Sequence, residues 1–268
     1  MSALCIGSVA VEGTVGGWAW PIAAVELAEL AASQSTPGGP TGDLLRKTPP
    51  SFDDVTIGHI TDKFNAKLLR ESFDAAAGGT IDEVRVGHWL QSILEEAAGV
   101  GACADACTRS LAAACYVVWK SSRLELLSLS PETRALLAEL RTRYKLLLLT
   151  NGESQTQWEK VAAARCEPLF DAVVVGGDHA EQKPALSIFR HCFSTLGVEA
   201  GRCVMVGDSL DTDILGGAGA GVRATVWVQD PGAPRDGTGT AEPDYTVATV
   251  LDLPGVLARI ERGNVGLV

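Results

Sequence analysis

Three short polar clusters in this chain carry side chains that could do chemistry together. Thr150-Asn151-Gly152 closes one apolar run. Lys183-Pro184 comes after a second, and Gly207-Asp208-Ser209, followed by Asp211 and Asp213, comes after a third. The Thr150 hydroxyl and the Asn151 amide can both donate to a phosphate oxygen. Lys183 brings a point charge to the same oxygens, helped by the N-terminus of a helix whose first turn holds Pro184. Asp208 and Asp213 offer hard oxygen ligands suited to Mg²⁺, which keeps several waters and needs few carboxylates. Each cluster also has a plain reading. Thr-Asn-Gly is a common turn, Lys-Pro before a helix says little, and Gly-Asp-Ser can simply cap the next helix. Asp211 is given that capping role. Order is what joins the clusters: each follows a different strand, at ends that share one crevice.

The elements that must position them are legible from Ser130 onward. Ser130-Pro131-Glu132 supplies an N-cap, a proline at the first helical position and an acidic first turn, opening a helix to about Arg143. Four apolar runs follow, Lys145–Leu149, Ala172–Val175, Cys203–Val206 and Ala224–Val228. They are continuous rather than alternating, as strands buried on both faces should be. Helices over Gln155–Ala164, Pro184–Leu196 and Asp211–Ala220 separate them. The fold class is therefore α/β, a parallel sheet flanked by helices, with ligands expected at the strands' carboxyl ends. Gly216–Gly221 (GGAGAG) imitates a dinucleotide-binding loop. It ends a helix instead of opening one, so close packing and C-capping explain it better.

Upstream the pattern changes. Residues 55–129 read as helical, with Ile81, Val84, Trp89, Leu90, Ile93 and Leu94 at helical spacing and a second stretch from Ala104 to Leu127. Residues 1–54 are rich in Ala, Gly and Pro. Within them 33–50 reads as flexible linker, and Ile22–Ala32 reads as a short helix behind Trp18, Trp20 and Pro21.

Net charge is −11 and no Lys/Arg block occurs, which argues against nucleic acid and against an anionic membrane surface. A small anionic substrate is still compatible, because a few cations and a metal can invert the field in a cleft. The seven cysteines form no CxxC pair, and Cys103 and Cys107 have no histidine beside them, so reduced buried thiols are expected. No run of about twenty apolar residues occurs. The first basic residue is Arg46, too late for a signal peptide's positive region. The expected location is the cytoplasm.

LLLLTNG (146–152), KP (183–184) and VGDSLDTD (206–213) with AGAGV (218–222) resemble motifs two, three and four of the haloacid dehalogenase (HAD) superfamily. HWLQSI (88–93), VWKSSRL (118–124), FDAVVVGG (170–177) and VMVGDSLDTDI (204–214) are similar to its sialic acid 9-phosphate phosphatases. The likeness runs from about residue 55 to the C-terminus. It implies a Rossmann-like core over 130–268, with residues 55–129 as a helical cap inserted after the first strand. It also implies a Mg²⁺-dependent phosphomonoesterase acting on a small-molecule sugar phosphate. By position, Thr150 and Asn151 would bind the phosphoryl group and Lys183 would neutralise it as a catalytic group. Asp208 would hold Mg²⁺, with Asp213 supporting it from behind. Arg85, His88, Lys120 and Arg123 in the cap are candidates for the sugar's carboxylate and hydroxyls, or else belong to a solvated or packed helix face.

The family's first motif, Asp-x-Asp after a buried strand, does not occur in residues 1–60. Its first Asp attacks phosphorus and its second is the general acid and base. Val9-Ala10-Val11-Glu12-Gly13-Thr14-Val15 has the motif's shape, with Ala10 in the attacking position and Glu12 in the second. Either chance or a degenerate motif accounts for it. The sheet needs that strand in its centre, and Leu4–Val11 is expected to supply it. Three functions stay open: a phosphatase with an atypical first segment, a silent relative that still binds Mg²⁺ and a phosphosugar, and an interaction protein using its N-terminal helix.

Overall fold

The computed structural model describes residues 3–7, 39–49, 51–71, 79–97, 106–229 and 241–262. The chain divides into two compact units, one holding the N-terminal strand together with Leu127 onward, the other holding the helices up to Leu126.

The α/β unit is built on one six-stranded sheet: β1 (Ala3–Gly7), β2 (Lys145–Thr150), β3 (Ala172–Val175), β4 (Cys203–Gly207), β5 (Ala224–Val228) and β6 (Tyr245–Val247). Their order across the sheet is β3-β2-β1-β4-β5-β6, with every pair parallel. Strand order reverses between β1 and β4, and such a switch point opens a crevice at the carboxyl ends. β1 fills the central slot, Gly7 pairing with Leu149 on one side and Ile6 with Val206 on the other. Residues 8–11 of the expected strand lie outside the described residues, as do Ala10, Glu12 and the Ile22–Ala32 segment.

Leu146, Leu147, Leu148 and Leu149 are all fully buried, which is why β2 reads as an unbroken apolar run. One face of the sheet packs Leu147, Leu149, Val174, Cys203 and Met205 against Ile188, Phe189, Cys192 and Phe193 of a helix over Leu186–Leu196. The helix Pro131–Arg141 opens as the sequence indicates, its Ser130 hydroxyl accepting from the Thr133 amide at 3.1 Å. Burial pushes the thiols of Cys115 and Cys192 to about 12 and that of Cys166 to about 11, so these are packing residues rather than reactive ones.

Several local expectations are corrected. The segment 33–50 is not linker throughout, because Pro40–Lys47 forms helix α1. Pro40 stands at its start, Asp43 in its first turn and Arg46 with Lys47 in its last, which suits the helix dipole at both ends. The Leu186–Leu196 helix begins after Pro184, which stands outside it. Leu210–Ile214 is a wide π turn running into a short helix over Leu215–Gly219, and its cap is Ser209, accepting from the Thr212 amide, rather than Asp211. Strand β6 was missed, being three residues long at the sheet edge.

The second unit contains α1, α2 (Asp54–Leu69), α3 (Ile81–Ala97) and α4 (Ala106–Leu126). Its core centres on Phe64, stacked on Trp89 at 4.1 Å and edge-on to Trp119 at 5.2 Å. Leu45 of α1 is fully buried in that core. Leu45→Ala is therefore expected to destabilise the chain by about 2–5 kcal/mol in urea titration, the cost of a core cavity. A result within about 0.5 kcal/mol of native would return α1 to a surface segment.

Candidate active site

The crevice is framed by the turns that follow β2, β3 and β4. Thr150 is the last residue of β2 and is buried, its hydroxyl 3.3 Å from both the Asn151 carbonyl and Gln157 Oε1. Asn151 clasps the main chain of Lys183: its Nδ2 donates to the Lys183 carbonyl at 2.8 Å, and its Oδ1 accepts from the Lys183 amide at 3.0 Å. One amide hydrogen and the Oδ1 atom are thus spent on holding the loop. The loop is pinned again where the Gly152 amide donates to Gln182 Oε1 at 2.7 Å. A Cβ on Gly177 would come within 2.5 Å of the Gly152 carbonyl and the Ser154 amide, so the two turns meet backbone to backbone.

Lys183 is buried, and its Nζ donates to Asp213 Oδ1 at 2.7 Å and to the Leu149 carbonyl at 2.9 Å. A lysine expected to be steered by a helix N-terminus is instead steered by a carboxylate and a strand carbonyl. Asp213 is itself almost fully buried, and its Oδ2 accepts from the Ser209 amide at 3.2 Å. Asp208 is half-buried and is anchored through its own carbonyl, which accepts from the Trp227 indole at 2.6 Å. Burial, and then the neighbouring Asp213 carboxylate, push the Asp208 carboxyl well above the usual carboxylate range. Thr150, Asn151, Lys183, Asp208 and Asp213 are thereby linked through adjacent turns at one edge of the sheet. Asp211 is left out of this set of contacts.

Three supporting residues escaped sequence reasoning. Gln157 meets Thr150, Gln182 pins Gly152, and Gly177 lets two turns touch. Gly207, already part of a polar cluster in the sequence, has the further role of making room for Asp213. Gly216 and Gly217 do pack closely, a Cβ there falling 2.5 Å from Phe189 and 2.8 Å from Met205. Gly221 ends that segment at a φ of 75°.

The donor set fits a divalent cation in part. Asp208 is a carboxylate whose charge the surroundings penalise, and a cation would relieve that penalty. Asp213 is engaged by Lys183 and Ser209, which suits a supporting position better than a ligand's. Among the described residues no group of three or more His, Cys, Asp or Glu side chains is arranged around a metal position.

Gly207 tests whether the pair matters. A Cβ there would lie 2.3 Å from the Asp213 carboxyl carbon, so Gly207→Ala must push Asp213 away from Lys183. Loss of a buried pair costs about 3–5 kcal/mol, measurable by chemical denaturation. Gly219→Ala, whose Cβ would make an ordinary 3.4 Å contact with Leu186, should stay within about 1 kcal/mol. Equal effects from both would sever the link between Gly207 and the ion pair.

A model of the haloacid dehalogenase-like hydrolases matches residues 68–221. The chain is 48% identical over 203 residues to N-acylneuraminate-9-phosphatase of Rattus norvegicus, covering 75% of this chain and 78% of that protein. The protein of that name from Homo sapiens is 46% identical over the same coverage. Among solved structures, a 2-haloacid dehalogenase from Pseudomonas syringae superposes with a TM-score of 0.61 at 23% identity, covering 97% of this chain and 99% of that one. A HAD hydrolase from Bacillus subtilis, bound to magnesium, gives 0.60 at 20% identity, covering 96% and 98%. At those identities the two structures speak for the fold alone. With a family model over more than half of its length and relatives close to half identical, this chain belongs to the haloacid dehalogenase-like hydrolases.

Proposed function

We propose that this chain is a phosphatase of the sialic acid 9-phosphate type by descent, one that holds the phosphosugar and Mg²⁺ but turns it over poorly. The observation that carries the reading is the buried Lys183, tied to the end of β2 and to the turn after β4, in a chain whose relatives are named phosphatases. Lys183 would neutralise an incoming phosphate, since its ammonium keeps one hydrogen beyond the two given to Leu149 and Asp213. Thr150 would donate its hydroxyl, exchanging a weak 3.3 Å contact for a charged acceptor. The remaining Asn151 amide hydrogen is available to the same oxygens. Asp208 would hold Mg²⁺, whose contribution when bound is to offset charge on the phosphoryl oxygens. Asp213 would keep Lys183 in place.

Poor turnover follows from the first motif. No Asp-x-Asp occurs in residues 1–60, and an alanine at position 10 has no oxygen with which to attack phosphorus. No helix among the described residues is long and apolar enough to cross a membrane.

Two measurements test this. Adding sialic acid 9-phosphate with Mg²⁺ should raise the melting temperature, since a ligand at a hundredfold its Kd stabilises the native state by about 2.7 kcal/mol. Lys183→Met should abolish that rise. Phosphate release should be slow for the native chain and rise sharply in the Ala10→Asp variant. Release by the native chain as fast as by the variant would mean another group attacks phosphorus. No melting shift with any sugar phosphate would remove the binding reading altogether.

A further inference from the structure

The helical unit carries four basic side chains that the sequence offers to a sugar's carboxylate and hydroxyls, and the structure divides them. Arg85 Nη2 lies 2.9 Å from Glu71 Oε1, and His88 Nε2 lies 3.4 Å from the other oxygen of that carboxylate. Against the cost of burial, His88 and Arg85 hold the Glu71 carboxyl below its usual range. Lys120 Nζ lies 3.1 Å from Asp82 Oδ1, which also accepts from the Tyr116 hydroxyl. These three side chains meet carboxylates that the unit itself supplies.

Arg123 differs. It lies in the last turn of α4, half-buried, with its guanidinium carbon 5.2 Å from the centroid of the Trp119 ring. No acidic side chain among the described residues pairs with it, and Arg85 acts on it as a like charge. Burial first and Arg85 second bring its pKa down to about 10, still charged at neutral pH. Glu71 adds an opposite charge without pairing with it. Withdrawing a charge from water without an ion-pair partner is costly, and such groups mark places where a ligand completes the set. A cation–π contact with the indole helps to position the guanidinium, whose fork suits a planar acceptor with two oxygens.

We propose that Arg123 is the carboxylate-binding residue of the helical unit, and that the carboxylate belongs to a sugar acid. A carboxylate brings one negative charge and two parallel oxygens, the geometry a guanidinium fork matches. Glu71, whose charge also reaches Arg123, penalises a dianion more than a monoanion. Naming the ligand a sugar acid rests on the phosphatase reading above, whereas the carboxylate chemistry rests on Arg123 alone.

The test uses the full chain with Mg²⁺ and calorimetric titration of N-acetylneuraminate 9-phosphate and of its C1 methyl ester. The native chain should bind the ester about ten- to a hundredfold more weakly than the acid, the range for a charged hydrogen-bonded pair. Arg123→Gln should weaken the acid by that factor, leave the ester unchanged and bring the ratio near one. Arg123→Lys should recover part of the preference. A variant that only misfolds would weaken both ligands together and keep the ratio. Equal binding of acid and ester by the native chain, or an undiminished preference in Arg123→Gln, overturns the proposal and leaves the phosphatase reading standing. Binding of neither ligand by the native chain overturns both.

Discussion

An ammonium and a carboxylate buried at the carboxyl edge of a parallel sheet can persist only if each satisfies the other. Lys183 and Asp213 meet at 2.7 Å with side chains 2% and 1% exposed, and the demands of that pair shape everything near it. Lys183 takes a second acceptor from the Leu149 carbonyl, so its position is fixed by the end of β2. Asp213 takes the Ser209 amide, so the turn after β4 must curl back over it, and position 207 must lack a side chain. Asn151 then holds the main chain of Lys183 from below. Three loops that are distant in sequence become one surface because a single pair of charges has to be kept whole.

That surface is useful only because the sheet beneath it is rigid. All five strand pairings are parallel, and β2 and β4 carry unbroken apolar runs that leave no face to water. Polar groups can therefore appear only at the strand ends. Asp208 illustrates the consequence. Its main chain is held by Trp227 of β5, while its carboxyl is left beside Asp213 in surroundings that disfavour a second negative charge. A site that penalises its own carboxylate is one that welcomes a cation, and a phosphate in turn welcomes the lysine. On the proposed reading these groups would be the binding half of a phosphatase, and the attacking half would have to come from elsewhere in the chain.

The helical unit obeys a different economy. Its aromatic centre of Phe64, Trp89 and Trp119 supplies packing, while its charged residues are sorted into local pairs around Glu71 and Asp82. Exposed pairs such as Arg46 with Asp54 add little to stability. The half-buried ones matter more, because they decide which cations are spent inside the fold.

By itself the sequence determined the α/β class, the runs that become β2 to β5 and the order of the polar clusters. Short continuous apolar runs bounded by turn residues read as strands buried on both faces, and Ser130-Pro131 opens a helix cleanly. It also determined that no Asp-x-Asp precedes residue 60. Helix α1 was hidden because glycine and proline dominate its approach, and only the burial of Leu45 in a distant core explains why it forms. The partners of Lys183, the clasp by Asn151, the capping by Ser209 and the carboxylates that Arg85, His88 and Lys120 meet were decided by the tertiary structure. Each depends on groups 14 to 38 residues apart or on the exact sweep of a turn. Local propensity carries no record of which side chain will stand opposite once the chain has closed.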